Sequence, residues 1–69
     1  MRRPTENQVD ILRYVREGMT NQQIADQLGV SKRTIDNTMS RILVNMDADD
    51  RMEAVQQAES AGYLEPGAD

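Results

Sequence analysis

Arg33, Asn37 and Arg41 recur at four-residue intervals in the stretch KRTIDNTMSRILVNM, residues 32 to 46. On a helix this spacing places three hydrogen-bonding side chains on one face. Their chemistry suits the edges of nucleic-acid bases. Arginine pairs bidentately with guanine and asparagine with adenine, and the carboxylate of Asp36 on the same side can accept from a cytosine amine. The same residues also have spacings that give ordinary solvated helix pairs, Arg33 with Asp36 and Asn37 with Arg41. Both readings stand at the level of spacing alone.

The helix that must carry these residues is marked by Ile35, Met39, Ile42 and Met46 at i, i+4, i+7 and i+11. Leu43 widens the stripe and Ser31 caps its start. Spanning about 15 residues, this helix is roughly 22 Å long. Three more helices have equally local signals. Thr5 with Gln8 forms a capping box, followed by the stripe Val9, Ile11, Leu12 and Val15, with Gly18 as a stop. Thr20 with Gln23 repeats the box for a short helix bearing Ile24, Ala25 and Leu28, which Gly29 ends. Asp50 with Glu53 forms a third box, with Asp in the Thr role, and opens a fourth helix with Met52, Ala54, Val55, Ala58 and Ala61 before Gly62. Tyr63 and Leu64 are expected to fold back over the core, and residues 65–69 to form a frayed tail. The expectation is an all-α chain, a single domain over 1–69 with its core in 4–64.

Within residues 20–46 the second and third helices have the offsets of a helix-turn-helix. Ala25 is small where the two helices cross, Gly29 supplies the turn four residues later, and Ile24, Val30 and Ile35 are expected to lock the pair. This arrangement presents Lys32, Arg33, Asn37, Ser40 and Arg41 outward, toward a major groove.

Charge decides which part could meet a polyanion. Residues 1–46 hold seven basic groups (Arg2, Arg3, Arg13, Arg16, Lys32, Arg33, Arg41) against five acidic ones (Glu6, Asp10, Glu17, Asp26, Asp36), a net of +2. Residues 47–69 hold Arg51 against seven acids, a net of -6, and the whole chain stands at -4. A polyanion would therefore bind the first part and be repelled by the second. With no cysteine and no histidine, disulfides, thiolate or imidazole metal sites and nucleophile–histidine catalysis are excluded by inventory. The acidic residues Asp47, Asp49, Asp50 and Glu53 lack the glycine and the closing glutamate of a calcium loop, having Met52 and Ala58 there. They are read as a linker and a helix cap. Neither an enzyme activity nor a cofactor or metal is expected. No apolar run approaches the ~18 residues of a membrane span, and the start MRRPT has no apolar segment behind its arginines. The chain is read as cytoplasmic.

The stretch PTENQVDILRYVREGMTNQQIADQLGVSKRTIDNTMSRILVNM, followed by DRMEAVQQAESAGYL, resembles the LuxR-type (GerE-like) DNA-binding domain over about residues 4 to 64. Arg51, Glu53, Ala54, Val55 and Gly62 carry the likeness through the fourth helix. The resemblance implies a four-helix domain whose third helix reads double-stranded DNA in the major groove. Carried over residue by residue, it places Thr20, Asn21, Ser31 and Thr34 near phosphates, with Lys32 beside them. Hydroxyls and free amides at helix starts favour anions. It also implies that the fourth helix supplies a homodimer contact, for which Met52, Val55, Gln56 and Glu59 are the candidates. Ala54, Ala58 and Ala61 with Met52 and Val55 read equally as core packing against the first helix, and a band this wide can serve both neighbours. The chain departs from the family's pattern by placing Asp36 where lysine is usual, Thr38 where histidine is frequent, and Ser40, Val44 and Asn45 where basic residues are common. Two function classes follow. One is a sequence-specific transcription regulator without its own sensor domain, using Arg33, Asn37 and Arg41 as base contacts and controlled by abundance or a partner. The other is an acidic adaptor that kept the fold and binds another protein, such as a regulator or polymerase subunit.

Overall fold

A computed structural model of the chain describes residues 3–65. Four helices follow one another: α1 (Glu6–Arg16), α2 (Asn21–Leu28), α3 (Lys32–Met46) and α4 (Arg51–Ser60). No strand occurs among the described residues. α2 packs mainly on α3 and α1 on α4, while α3 also touches α4. The result is a helix-turn-helix pair backed by the outer pair α1 and α4.

The helix starts lie where local chemistry put them. The Thr5 hydroxyl accepts from the Gln8 amide (3.1 Å) while the Thr5 amide donates to Gln8 Oε1 (3.1 Å). Thr20 and Gln23 repeat the exchange at 3.1 and 2.8 Å. Each box satisfies orphan amides at a helix start. The third box is displaced by one residue. Asp50 accepts from the Glu53 amide (2.8 Å), but the Glu53 carboxylate reaches the amide of Asp49, not that of Asp50. Gly29 ends α2 in the left-handed region at φ 72°, where a glycine carries no Cβ penalty. Asp47 ends α3 in the same region at φ 57°. It is a non-glycine cap, of a type that a short polar side chain tolerates better than most.

The core gathers Ile11, Leu12 and Val15 of α1, Ile24 and Ala25 of α2, Ile35, Met39, Ile42 and Met46 of α3, and Ala54, Val55 and Ala58 of α4. One expectation changes here and another is decided. Val30, expected to lock the helix-turn-helix pair, is 42% exposed. The turn is held by backbone, with the Val30 amide donating to the Ala25 carbonyl at 3.0 Å. Val55, which the sequence offered to the core and to a dimer seam alike, is 2% exposed and belongs to the core. The α4 register turns it toward the rest of the molecule together with Ala54 and Ala58.

Leu64 is buried and Tyr63 packs against the core, with both amides donating to the Ala58 carbonyl. Glu65, placed in the tail by sequence, is tied back to α1. Its carboxylate accepts from Arg13 Nε at 3.1 and 3.2 Å, and its carbonyl accepts from the Arg16 guanidinium. The remainder of the expected tail, residues 66–69, lies outside the described residues. Arg3 stacks its guanidinium over the Tyr63 ring, 5.8 Å from the centroid, a cation–π contact that anchors the chain start at the closing turn.

Candidate nucleic-acid interface

One side of the molecule is built by α3 and the first residues of α2. Arg33, Asn37 and Arg41 are all exposed on α3, spread over about 12 Å of helix axis at 1.5 Å per residue. Among the described residues neither arginine makes an ion pair, and Asn37 makes no side-chain hydrogen bond to them. The solvated pairs that the spacing allowed, Arg33 with Asp36 and Asn37 with Arg41, are not formed. Ser40 is exposed as well, but its hydroxyl donates to the Asp36 carbonyl one turn back at 3.2 Å. Val44 continues the same side and is 79% exposed. It lines a shallow hollow with Ser40, Arg41 and Asn45.

The helix starts flank this face. Thr20 and Ser31 are exposed cap residues whose oxygens accept backbone amides, from Gln23 and Thr34 respectively at 3.1 Å each. A hydroxyl that accepts an amide still has its own proton to donate, so capping and phosphate contact are compatible. Thr34 Oγ1 lies 3.0 Å from Ser31 Oγ. These hydroxyls and the free amides of two helix starts make a surface suited to anions.

Asn21 and Lys32, also placed near phosphates by sequence, are engaged within the molecule. The Asp36 carboxylate accepts from Asn21 Nδ2 through one oxygen at 2.8 Å and from Lys32 Nζ through the other at 2.9 Å. Asn21 in turn accepts from the Arg51 guanidinium through its Oδ1 at 2.9 Å, and Arg51 also donates to the Met19 carbonyl. Lys32, Asp36, Asn21 and Arg51 thus form one chain of polar contacts joining α3, α2 and α4. The Asn21 amide, and secondarily Lys32, hold the Asp36 carboxyl below its ordinary value of 3.8, because both donors favour the ionised form. Asp36 is therefore not a bare negative charge on this face. It is directed along the protein surface, with its side chain 43% accessible.

The sequence analysis paired Asp36 with Arg33 and missed this network, for which spacing offered a signal at one step only. Lys32 and Asp36 stand four apart, a signal for a helix ion pair, but Asn21 and Arg51 lie 15 and 30 residues from their partners and only the fold brings them together. On α4, Met52 and Gln56 are exposed, whereas Glu59 is half-buried and its carboxylate lies 3.4 Å from Arg16 of α1.

Residues 5–58 match the family described as bacterial regulatory proteins, luxR family. The chain is 44% identical over 54 residues to the transcriptional regulatory protein ComA of Bacillus subtilis, which covers 78% of this chain and 25% of that protein. It is 37% identical over 60 residues to the transcriptional regulatory protein YdfI of Bacillus subtilis, covering 87% of this chain and 28% of that one. It is 30% identical over 60 residues to the transcriptional regulatory protein DegU of Brevibacillus brevis, at 87% and 25%. The chain thus spans about a quarter of the length of these curated relatives. With four helices in helix-turn-helix order and a family match over residues 5–58, the chain belongs to the luxR family of bacterial regulatory proteins.

Proposed function

We propose that this chain is a sequence-specific reader of double-stranded DNA in transcription regulation, with α3 in the major groove. The observation that carries the reading is the exposed row Arg33, Asn37 and Arg41, whose hydrogen-bonding groups are left unpaired by the described residues. Such groups are available to base edges. Thr20, Ser31 and Thr34 take the flanking phosphates, with the helix-start amides beside them. Asn21 and Lys32 contribute less to phosphate binding than their positions suggest, because Asp36 holds both. The family and the regulatory relatives support this role, and the compartment it requires is the cytoplasm.

A homodimer through α4 would use Met52, which is 51% exposed, and Gln56 at its centre. The chain's net charge of -4, together with the neutralisation of Lys32 by Asp36, favours a second reading as an acidic adaptor for a protein partner. Fluorescence-anisotropy titration against a random duplex pool and promoter fragments separates the two. Binding that falls along a log-linear salt slope, with one fragment surviving at physiological salt, supports the DNA reader. No binding even at low salt removes it and leaves the adaptor.

A further inference from the structure

We propose that Asp36 is an internal substitute for a DNA phosphate, an affinity-setting residue that withholds Lys32 and Asn21 from the nucleic-acid backbone. The inference rests on the DNA-reading function proposed above and concerns how strongly that same surface binds.

The carboxylate stands at a point of this face on which two donors from different helices converge. Asn21 is the first residue of α2 and Lys32 the first of α3. The side chains of these two helix starts converge on the two oxygens of Asp36, at 2.8 and 2.9 Å. An amide N–H and an ammonium donating to two oxygens of one anion is also the way a phosphate is held. The amide oxygen of Asn21 accepts from Arg51, so the Nδ2 donor of the same amide is aimed at Asp36 by the fold and is not free to swing elsewhere. Asp36 is itself incompletely covered, so a phosphate arriving at this point would meet a negative charge and two donor groups already oriented toward it. Binding there requires the Lys32–Asp36 pair to open or the phosphate contact to be forgone. In either case fewer counterions are released and the sequence-independent part of the affinity falls. The base-reading row Arg33, Asn37 and Arg41 is untouched by the network, so the balance shifts from general DNA affinity toward selectivity.

Asp36→Asn tests this, since the amide keeps the size and one acceptor while removing the charge. Titrations of the wild type and the variant against a random duplex are made at several salt concentrations, after circular dichroism has verified equal helicity. The expected result is tighter binding by Asp36→Asn, on the order of tenfold at low salt, and a log–log salt slope steeper by about one. A purely structural role for Asp36 moves neither the slope nor the affinity in this direction. Lys32→Gln supplies the second arm. It is expected to weaken binding more in the Asp36→Asn background than in the wild type, because only there is the ammonium free. Equal losses in both backgrounds overturn the inference even if Asp36→Asn alone binds better. A wild type that binds DNA while Asp36→Asn shows the same affinity and slope removes the inference and leaves the DNA reader intact. If neither protein binds at low salt, both fall. A variant that binds where the wild type does not supports Asp36 as the withholding charge and removes DNA reading by the native chain.

Discussion

At the scale of single residues, the same side-chain type has opposite standing depending on its neighbours. Arg33 and Arg41 have no acid partner among the described residues, whereas Arg13 pairs with Asp10 and Glu65, and Arg51 donates into the Asn21–Asp36 chain. Alanine at Arg33, Asn37 or Arg41 is therefore expected to cost about 1–3 kcal/mol on a specific site with little change in folding. Unchanged affinity in all three variants, measured on a selected fragment, rules out base contact by this row. Asp36 makes a pH prediction. Its carboxyl is held below the ordinary 3.8 by the Asn21 amide and Lys32, so the folded state binds this proton less readily than the unfolded chain. The resulting stabilisation is present above the unfolded value and is lost as pH falls through the lower folded one. Acid denaturation of Asp36→Asn is expected to show a shallower loss of stability below about pH 3.8 than the wild type, read from melting temperature against pH.

At the scale of the element, α3 and α4 show the limits of reading a stripe by residue type. The four apolar positions of α3 have one unambiguous inward face, and all four are buried. α4 is short and alanine-rich, and Met52, Val55 and the small residues allowed more than one rotation about its axis. The fold chose the rotation that buries Ala54, Val55 and Ala58 and leaves Met52 outside. Val55→Asp is consequently expected to lower stability by about 3 kcal/mol or more, by placing an unpaired charge in the core. Loss of cooperative melting is the sign of this; a fully helical, equally stable variant would contradict the packing. Met52→Asp probes the proposed dimer instead. It should leave helicity unchanged and convert any dimer to monomer in sedimentation, while a wild type that is monomeric at high concentration eliminates an α4 seam.

At the scale of the molecule, a fold of this size, in a chain of 69 residues, buries only about 60% of its unfolded surface. Total stability at this size is on the order of 3–10 kcal/mol. Each closing contact is then a large share of it. The segment after α4 brings Leu64 into the core and Glu65 onto α1. Leu64→Ala is expected to cost about 2–5 kcal/mol, whereas Arg13→Ala, which removes only exposed ion pairs, is expected to change stability little. Denaturant titration of the two variants measures the difference. Comparable effects would mean that the polar ties, and not the buried leucine, close the domain.

The sequence by itself determined the four helices, two of the three capping boxes, the α3 core stripe and the exposed row Arg33, Asn37 and Arg41. All of these depend on residues within about one or two helical turns, where hydrogen-bond geometry and helical period are set locally. Tertiary structure alone decided the rotation of α4, the exposure of Val30, the tie of Glu65 to α1 and the joining of Lys32, Asp36, Asn21 and Arg51. Those outcomes depend on which side chains meet across 15 to 52 residues of chain, and the packing of the core fixes that meeting. The charge on Asp36 was legible in the sequence, but the partners that give it a role were not, because an electrostatic effect belongs to a distance and the distance is set by the fold.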